Sequence, residues 1–316
     1  MHIIIAPNSF KNSLNASSAA KAITKGLKQS NLKAKYTLMP MADGGNDTLQ
    51  TLIDHFSGWY QNVQVEDPLQ RPLQAKYGLI NKGKTAIIEM AQASGLHLLT
   101  PQELNPWLAS SFGTGQLIRY SIESGAEEIW LGVGGSATID GGAGLLQAIG
   151  VDLLDKNGNP VERGAKGLCQ VHKIETSRLS EKIKTVPVFL LADVKNPLTG
   201  PEGAARVFGP QKGASPDMVD SIEQCMRHFC QLIERTSSQQ VSSMPGGGAA
   251  GGIPASLTSF LNVQLHSGAE FLLQKLNFRQ VAAGAQLLIT AEGSLDDQTM
   301  SGKGPAVVAN MARKEG

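Results

Sequence analysis

Five segments of the chain repeat one design, a short apolar run that ends in a tight cluster of Gly, Ser, Asp or Lys. They occupy residues 3–11, 38–45, 130–137, 188–197 and 287–293. An apolar run of roughly four to six residues that ends in small polar residues reads as a buried parallel strand delivering a loop. In open α/β sheets, ligands bind at the carboxyl ends of such strands. Three of the five ends carry an acidic residue: Asp43, Asp193 and Glu292. The pattern therefore predicts an α/β enzyme with parallel sheets and a site for an anion and a metal ion.

Composition narrows the class further. The 35 glycines among 316 residues exceed the average usage of roughly 7%. They cluster after strands, so they read as site loops and turns. Net charge is +1, and no basic stripe is interleaved with aromatics, which argues against a nucleic-acid partner. The start of the chain has no basic region before its apolar stretch, and no run approaches a membrane span, so neither a signal peptide nor a membrane partner is expected. Cys169, Cys225 and Cys230 are odd in number and lack paired spacing. Reduced thiols and a cytoplasmic location are expected. The scattered histidines form no zinc-binding motif.

The coarse organisation alternates strands and helices. A strand at 3–6 precedes an amphipathic helix over 13–28, with Ser13 or Asn15 as cap. A second strand at 37–41 precedes a helix over 48–56, and the polar stretch 58–68 closes this unit. Residues 74–80 and 85–90 flank a polar turn, a hairpin signature. Further strands are expected at 129–133, 151–155, 188–192 and 287–290, and helices from Ser111, at 145–149, at 218–234, at 255–260 and at 305–313. Strands 3–6, 37–41 and 287–290 are expected to share one parallel sheet. The expected lobes are residues 1–64 with 285–316, and an inserted lobe over 65–284. A strand–loop–helix unit normally returns to another parallel strand. The first lobe is therefore expected to be incomplete at its C-terminal end, with Val307, Val308 and Met311 exposed.

Two stretches match nucleotide-binding patterns. Residues 78–85 satisfy G-x-x-x-x-G-K-[ST], but a P-loop needs a helix at the Lys-Thr. Here a strand-like run follows, so a hairpin turn is the better reading. Residues 132–137 fit G-x-G-x-x-A after a strand, with Asp152 and Asp155 near the ribose-binding spacing. That loop continues to Gly144 before its helix, whereas a dinucleotide fingerprint enters its helix directly. Both readings share a ring of backbone N–H groups at a helix N-terminus, which suits phosphate. Ser9 and Lys11 lie at a similar strand-to-helix junction. Residues 208–214 and 245–252 are glycine loops before helices.

Eight blocks carry a resemblance. They are Ala-Pro-x-Ser-Phe-Lys (6–11), Ala-Asp-Gly-Gly (42–45), Ile-Glu-Met-Ala-x-Ala-Ser-Gly-Leu (88–96), Gly-Thr-Gly-x-Leu-Ile (113–118), Gly-Gly-Ser-Ala-Thr-x-Asp-Gly-Gly-Ala-Gly (134–144), Ala-Asp-Val-x-Asn-Pro-Leu (192–198), Phe-Gly-Pro-Gln-Lys-Gly-Ala (208–214) and Gly-Ala-Ala-Gly-Gly (248–252). In this order they resemble the bacterial class I glycerate kinases along the whole chain. The resemblance implies phosphorylation of D-glycerate, usually at the 2-hydroxyl, by ATP with Mg²⁺. It also implies two α/β lobes, one flavodoxin-like, with the site between them. The chain departs from the family at Asn8, usually Asp; at Asn46 and Asp47, usually Glu and Gly; at Ile139, usually Asn; at Ala291, usually Gly; and at Ser294, usually Arg. Family members also continue past the position of Gly316, so the chain is expected to be short relative to them.

On this basis Asp193, Asp43 and Lys11 are the expected catalytic residues, with Asp193 the first choice of base. Phosphoryl transfer needs mainly positioning and charge neutralisation. Ser9, Gly44, Gly45, Ser136, Thr138, Asp140 and Asn196 are expected to hold the substrate, with Ser136 and Thr138 pointing into the cleft. Lys212, Gly246, Gly247, Gly248, Glu292 and Lys303 are expected on the nucleotide side. Asp43, Asp193 and Glu292 are the candidate Mg²⁺ ligands. A homo-oligomer is compatible with this reading. Two rivals stand beside it: a non-catalytic binding relic, motivated by the substituted acids, and a nicotinamide-dependent dehydrogenase, motivated by 132–137.

Overall fold

The apolar run at the start of the chain becomes the centre of a small parallel sheet. In the structure, a computed structural model describing residues 1–10, 13–294 and 304–314, strand β1 (His2–Ile5) lies between β2 (Lys35–Leu38) and β11 (Leu287–Ile289), parallel to both. These three strands come from opposite ends of the chain, as their sequence pattern predicts. Ile3 and Ile5 face the amphipathic helix Ala16–Lys28, while Ile4 and Ala6 face a second core with Leu52, Ile87 and Leu191. Both faces are covered, so the run Ile3–Ala6 is apolar throughout instead of alternating. Asn15 caps the helix by accepting a hydrogen bond from the Ser18 amide (2.7 Å).

The larger sheet has six strands in the order β10 (Val263–His266), β9 (Val188–Leu191), β6 (Glu128–Gly132), β5 (Thr85–Glu89), β4 (Pro72–Ile80) and β3 (Trp59–Glu66). From β10 to β5 neighbouring strands are parallel, and β5, β4 and β3 continue antiparallel. The 78–85 motif is therefore the turn of the β4–β5 hairpin and not a phosphate loop. β7 (Asp152–Leu154) and β8 (Lys173–Glu175) form a separate small ribbon. The edge strands β3 and β10 lie outside the strands read from the sequence. Their polar residues, such as Gln61, Asn62, Gln64 and Gln264, give them no continuous apolar signal.

Two expectations are corrected here. Cys169 and Cys225 form a disulfide, against the expected free thiols. Cys169 follows the short helix Ala165–Leu168, which packs beside the long helix Pro216–Ser237 carrying Cys225. Tertiary packing supplies the proximity that sequence spacing hides. Val307 and Val308, expected to be exposed, are buried, and Met311 packs partly against the same core. Their helix, Gly304–Lys314, packs against the helices Gly268–Lys275 and Phe278–Ala282. Among the described residues no helix is long and apolar enough to cross a membrane.

One local conformation yields a stability prediction. Asp47 precedes helix Thr48–Phe56 with φ 67°, in the left-handed region, and its side chain makes no capping hydrogen bond. The left-handed conformation costs an L-residue about 1–2 kcal/mol, and glycine escapes that cost while losing some chain entropy. Asp47→Gly, the residue usual in the resembling family, is expected to stabilise the protein by about 0.5–1 kcal/mol. A higher denaturant midpoint at unchanged slope would show it; an unchanged midpoint would contradict it.

Candidate active site

The carboxyl ends of β2, β6 and β9 meet where the two sheets adjoin. The Gly134 amide donates to the Gly44 carbonyl (3.1 Å). A Cβ on Gly132 would lie 2.5 Å from that carbonyl oxygen, and one on Gly134 would lie 2.6 Å from the Gly45 Cα. The loops of the two sheets can touch backbone to backbone only because both strand ends are glycine. Gly44 also adopts φ +86°, and a Cβ there would meet the Leu191 carbonyl oxygen at 2.8 Å. These constraints explain the Gly-Gly that follows Asp43.

A cavity of about 330 Å³ opens at this junction, bounded by Asp43–Gly45, Val133–Ser136, Leu191–Val194, Gln211 and Lys212. Asp43 Oδ2 accepts from Asn8 Nδ2 (3.0 Å) and Oδ1 from the Gly45 amide (3.1 Å). Asp193 Oδ1 accepts from Ser267 Oγ and the Gly268 amide, both at 2.9 Å. Gly268 starts a helix, and its missing Cβ would sit 1.9 Å from the Asp43 carbonyl oxygen. That contact draws the two carboxylates together. Burial, and then the Asp43 charge, push the Asp193 carboxyl up to about 6. Ser267 and Gly268 oppose the rise by donating to the ionised form.

Lys212 stands on another wall of the same cavity. Its ammonium is buried, and Nζ donates to Ser136 Oγ (2.8 Å) and the Thr138 carbonyl (2.9 Å). Burial pulls its pKa down to about 7, against the charge of Asp140. Asp140 is wholly enclosed. Its Oδ2 accepts from the Ser111 amide and hydroxyl (2.8 Å each) and the Gly144 amide (3.2 Å), and its Oδ1 from the Gly142 amide (3.2 Å). Its pKa is raised by burial, while these donors pull it the other way.

A second cavity, about 350 Å³, lies beyond Asp193. Ala192, Asp193 and Val194 line both, and Pro245, Gly246, Leu265, His266 and Val307 line only the second.

The structure thus brings together Asp43, Gly44, Gly45, Ser136, Asp193 and Lys212. Other expected residues stand elsewhere. Thr138 does not point into the cleft: it has no exposed surface, and its carbonyl, not its side chain, meets Lys212. Asp140 faces Ser111 and its own loop and does not line the cavity. Asn196 donates to the Glu202 carbonyl outside both cavities. Gly248 packs against Pro197, and Gly247 beside Met244. Ser9 is half-buried next to Asn8, and its amide donates to Asn8 Oδ1 (2.8 Å). Among the described residues no three acidic, His or Cys side chains form a metal-binding group, so Glu292 does not join Asp43 and Asp193. It follows β11, two strand spacings from β2 across β1, about 10 Å in the sheet direction. Lys11 and Lys303 lie outside the described residues.

Supporting residues escaped the sequence reading. Glu89, buried at the end of β5, accepts from the Leu49 amide (2.7 Å) at the start of helix Thr48–Phe56, which follows the Asp43 loop. Asn8, Ser111 and Ser267 likewise hold Asp43, Asp140 and Asp193. Glu89 and Asn8 lie in or beside the recurring blocks, a usable signal; Ser111 and Ser267 carry none.

Comparison with known proteins decides the family. The sequence model of the glycerate kinase family matches residues 3–316. The chain belongs to the glycerate kinase family. Its members are phosphotransferases, and the enzyme class follows. A glycerate kinase of Halalkalibacterium halodurans is 46% identical over 314 residues, covering 99% of this chain and 83% of that protein. A glycerate 2-kinase of Escherichia coli is 43% identical, covering 99% and 82%. The crystal structure of a putative glycerate kinase 2 from Salmonella typhimurium superposes with a TM-score of 0.92 at 42% identity, covering all of this chain and 84% of that one. The family match runs from residue 3 to residue 316, and the chain spans 82–84% of the length of these three proteins.

Proposed function

We propose that the protein transfers the γ-phosphoryl group of ATP to D-glycerate, at the 2-hydroxyl, in the cytoplasm. The observation that carries this reading is the approximately 330 Å³ cavity with a buried cation, Lys212, on one wall and two adjoining carboxylates, Asp43 and Asp193, on another. A small hydroxy acid offers the matching groups: a carboxylate for the cation and a hydroxyl for the acids. Asp193, with its raised pKa, is the group that takes the hydroxyl proton, as a positioned carboxylate does in phosphoryl transfer. Gly44, Gly45 and Ser136 border the acceptor.

Asp43 and Asp193 fit Mg²⁺, which binds through one or two carboxylates plus phosphate oxygens. Their mutual repulsion in a buried wall is what a divalent cation relieves. The bound ion supplies charge neutralisation on the transferring phosphate. The second cavity, which shares Asp193 and is lined by Gly246, is the nucleotide side.

The two-lobe division, 1–64 with 285–316 and 65–284, belongs to this reading. The separate three-stranded sheet supports it, while β3 belongs to the six-stranded sheet and the helix Gly268–Lys275 packs into the core with Ile4 and Ala6.

The test is an ADP-release assay with D-glycerate and MgATP, the product identified by phosphorus NMR. Glycerate-dependent ADP formation with 2-phosphoglycerate as product is expected. A 3-phosphoglycerate product would overturn the regiochemistry. Binding of both ligands without turnover would favour the binding relic, which Asn8 in place of the family's usual Asp motivates.

A further inference from the structure

We propose that Lys212 belongs to the acceptor half of the site and fixes the carboxylate of the hydroxy acid, with Ser136 as its companion, and so determines specificity for an acid over a neutral polyol. This rests on the reading of the site as a glycerate kinase, and it moves Lys212 away from the nucleotide side where its sequence block suggests it.

The arrangement of the two cavities is the first ground. Asp193 stands in the partition between them. Lys212 and Ser136 line only the first, and Gly246 lines only the second. A donor nucleotide and an acceptor that meet at Asp193 therefore approach from opposite sides, and Lys212 lies on the acceptor's side.

The state of the ammonium is the second. A Lys ammonium has three donors and no acceptor. Among the described residues, Nζ finds two acceptors, Ser136 Oγ and the Thr138 carbonyl. Both are uncharged, and Asp140 acts on the ammonium only at a distance. A cation this buried beside a cavity is stabilised when an anion enters and supplies the remaining acceptor. A carboxylate does so and restores the pKa that burial has pulled down.

Geometry then orients the substrate. With its carboxylate on Lys212, a three-carbon acid presents its hydroxyls toward the Asp43–Asp193 wall. A neutral triol of the same length lacks the anchor.

The experiment compares the full chain with Lys212→Met and Lys212→Arg by calorimetric binding of D-glycerate and of ATP separately, and by kinetics on glycerate and glycerol. Glycerate affinity is expected to fall about 10- to 100-fold in Lys212→Met, with ATP affinity changed less than about 3-fold. The preference for glycerate over glycerol should shrink by the same factor as glycerate affinity. Lys212→Arg keeps the charge and is expected to retain part of the affinity; it serves as the folded comparison if the Met variant fails to fold. Weakened ATP binding with intact glycerate binding, in either variant, would overturn the assignment. Wild-type protein that binds glycerate but does not phosphorylate it would refute the kinase reading alone, and the binding arm would still decide the role of Lys212.

Discussion

Asp193→Asn is expected to lower kcat by about 10²- to 10⁴-fold, the usual contribution of a positioned general base, and to leave the protein folded. The two halves of that expectation have separate causes. Asparagine keeps an oxygen that can accept from Ser267 Oγ and the Gly268 amide, so the start of helix Gly268–Lys275 stays in place. The substitution also removes the like-charge contact with Asp43 that contributes to the raised pKa. Stability should therefore hold or rise slightly, as an unchanged or higher denaturant midpoint. Catalysis loses the proton acceptor, and the pair that fits Mg²⁺ loses one carboxylate. The half-saturating Mg²⁺ concentration should rise along with the fall in kcat. A variant within about tenfold of wild-type kcat would show that the proton goes elsewhere. Asp43, which also borders the cavity, would be the next carboxylate to test.

Why Asp193 was visible in the sequence and Lys212's surroundings were not follows from where each signal lives. β1, β6 and β9 are interior strands, largely buried, and each writes an apolar run into the sequence that ends in small polar residues. Asp193 sits at such an end; Asp43 follows the edge strand β2, and the buried run through Met39, Met41 and Ala42 marks its place. β3 and β10 are the two edges of the six-stranded sheet, with polar residues on their open faces, and they left no run to find. The contacts that set each group's chemistry are long-range. Ser267 reaches Asp193 and Lys212 reaches Ser136 only after the chain has folded, each across more than 70 positions. A loop rich in Gly, Ser and Asp announces a site, but it does not say which hydroxyl faces the ligand. Hence Ser136 lines the cavity, while Thr138 and Asp140, two and four residues on, are buried away from it, and Asp140 holds the loop through the Gly142 and Gly144 amides.

That burial makes Asp140 a test of how the loop is held. Among the described residues four donors bond its carboxylate: the Ser111 amide and hydroxyl, and the amides of Gly142 and Gly144. Burial raises its pKa, yet only the ionised form can accept from all four, so the ionised form is the one this enclosure suits. In Asp140→Asn a single oxygen can replace Oδ2 and keep three of these bonds. The amide nitrogen then faces the Gly142 N–H, donor against donor. Three charge-assisted bonds become neutral and one becomes a repulsive contact. The expected loss of stability is about 2–4 kcal/mol, the scale of unpairing a buried polar group, read as a lower denaturant midpoint. A second effect reaches Lys212, because Asp140 is the charge that opposes the lowering of its pKa by burial. Without that charge the pKa of about 7 falls further, and at neutral pH more of the amine is uncharged. Glycerate binding by the folded variant should therefore weaken at pH 7 and recover in part on lowering the pH toward 6. Wild-type protein, whose ammonium titrates nearer 7, should gain less from the same change. Equal midpoints for variant and wild type would show that the loop holds without the carboxylate; a midpoint drop with unshifted pH dependence would separate its structural part from any influence on Lys212.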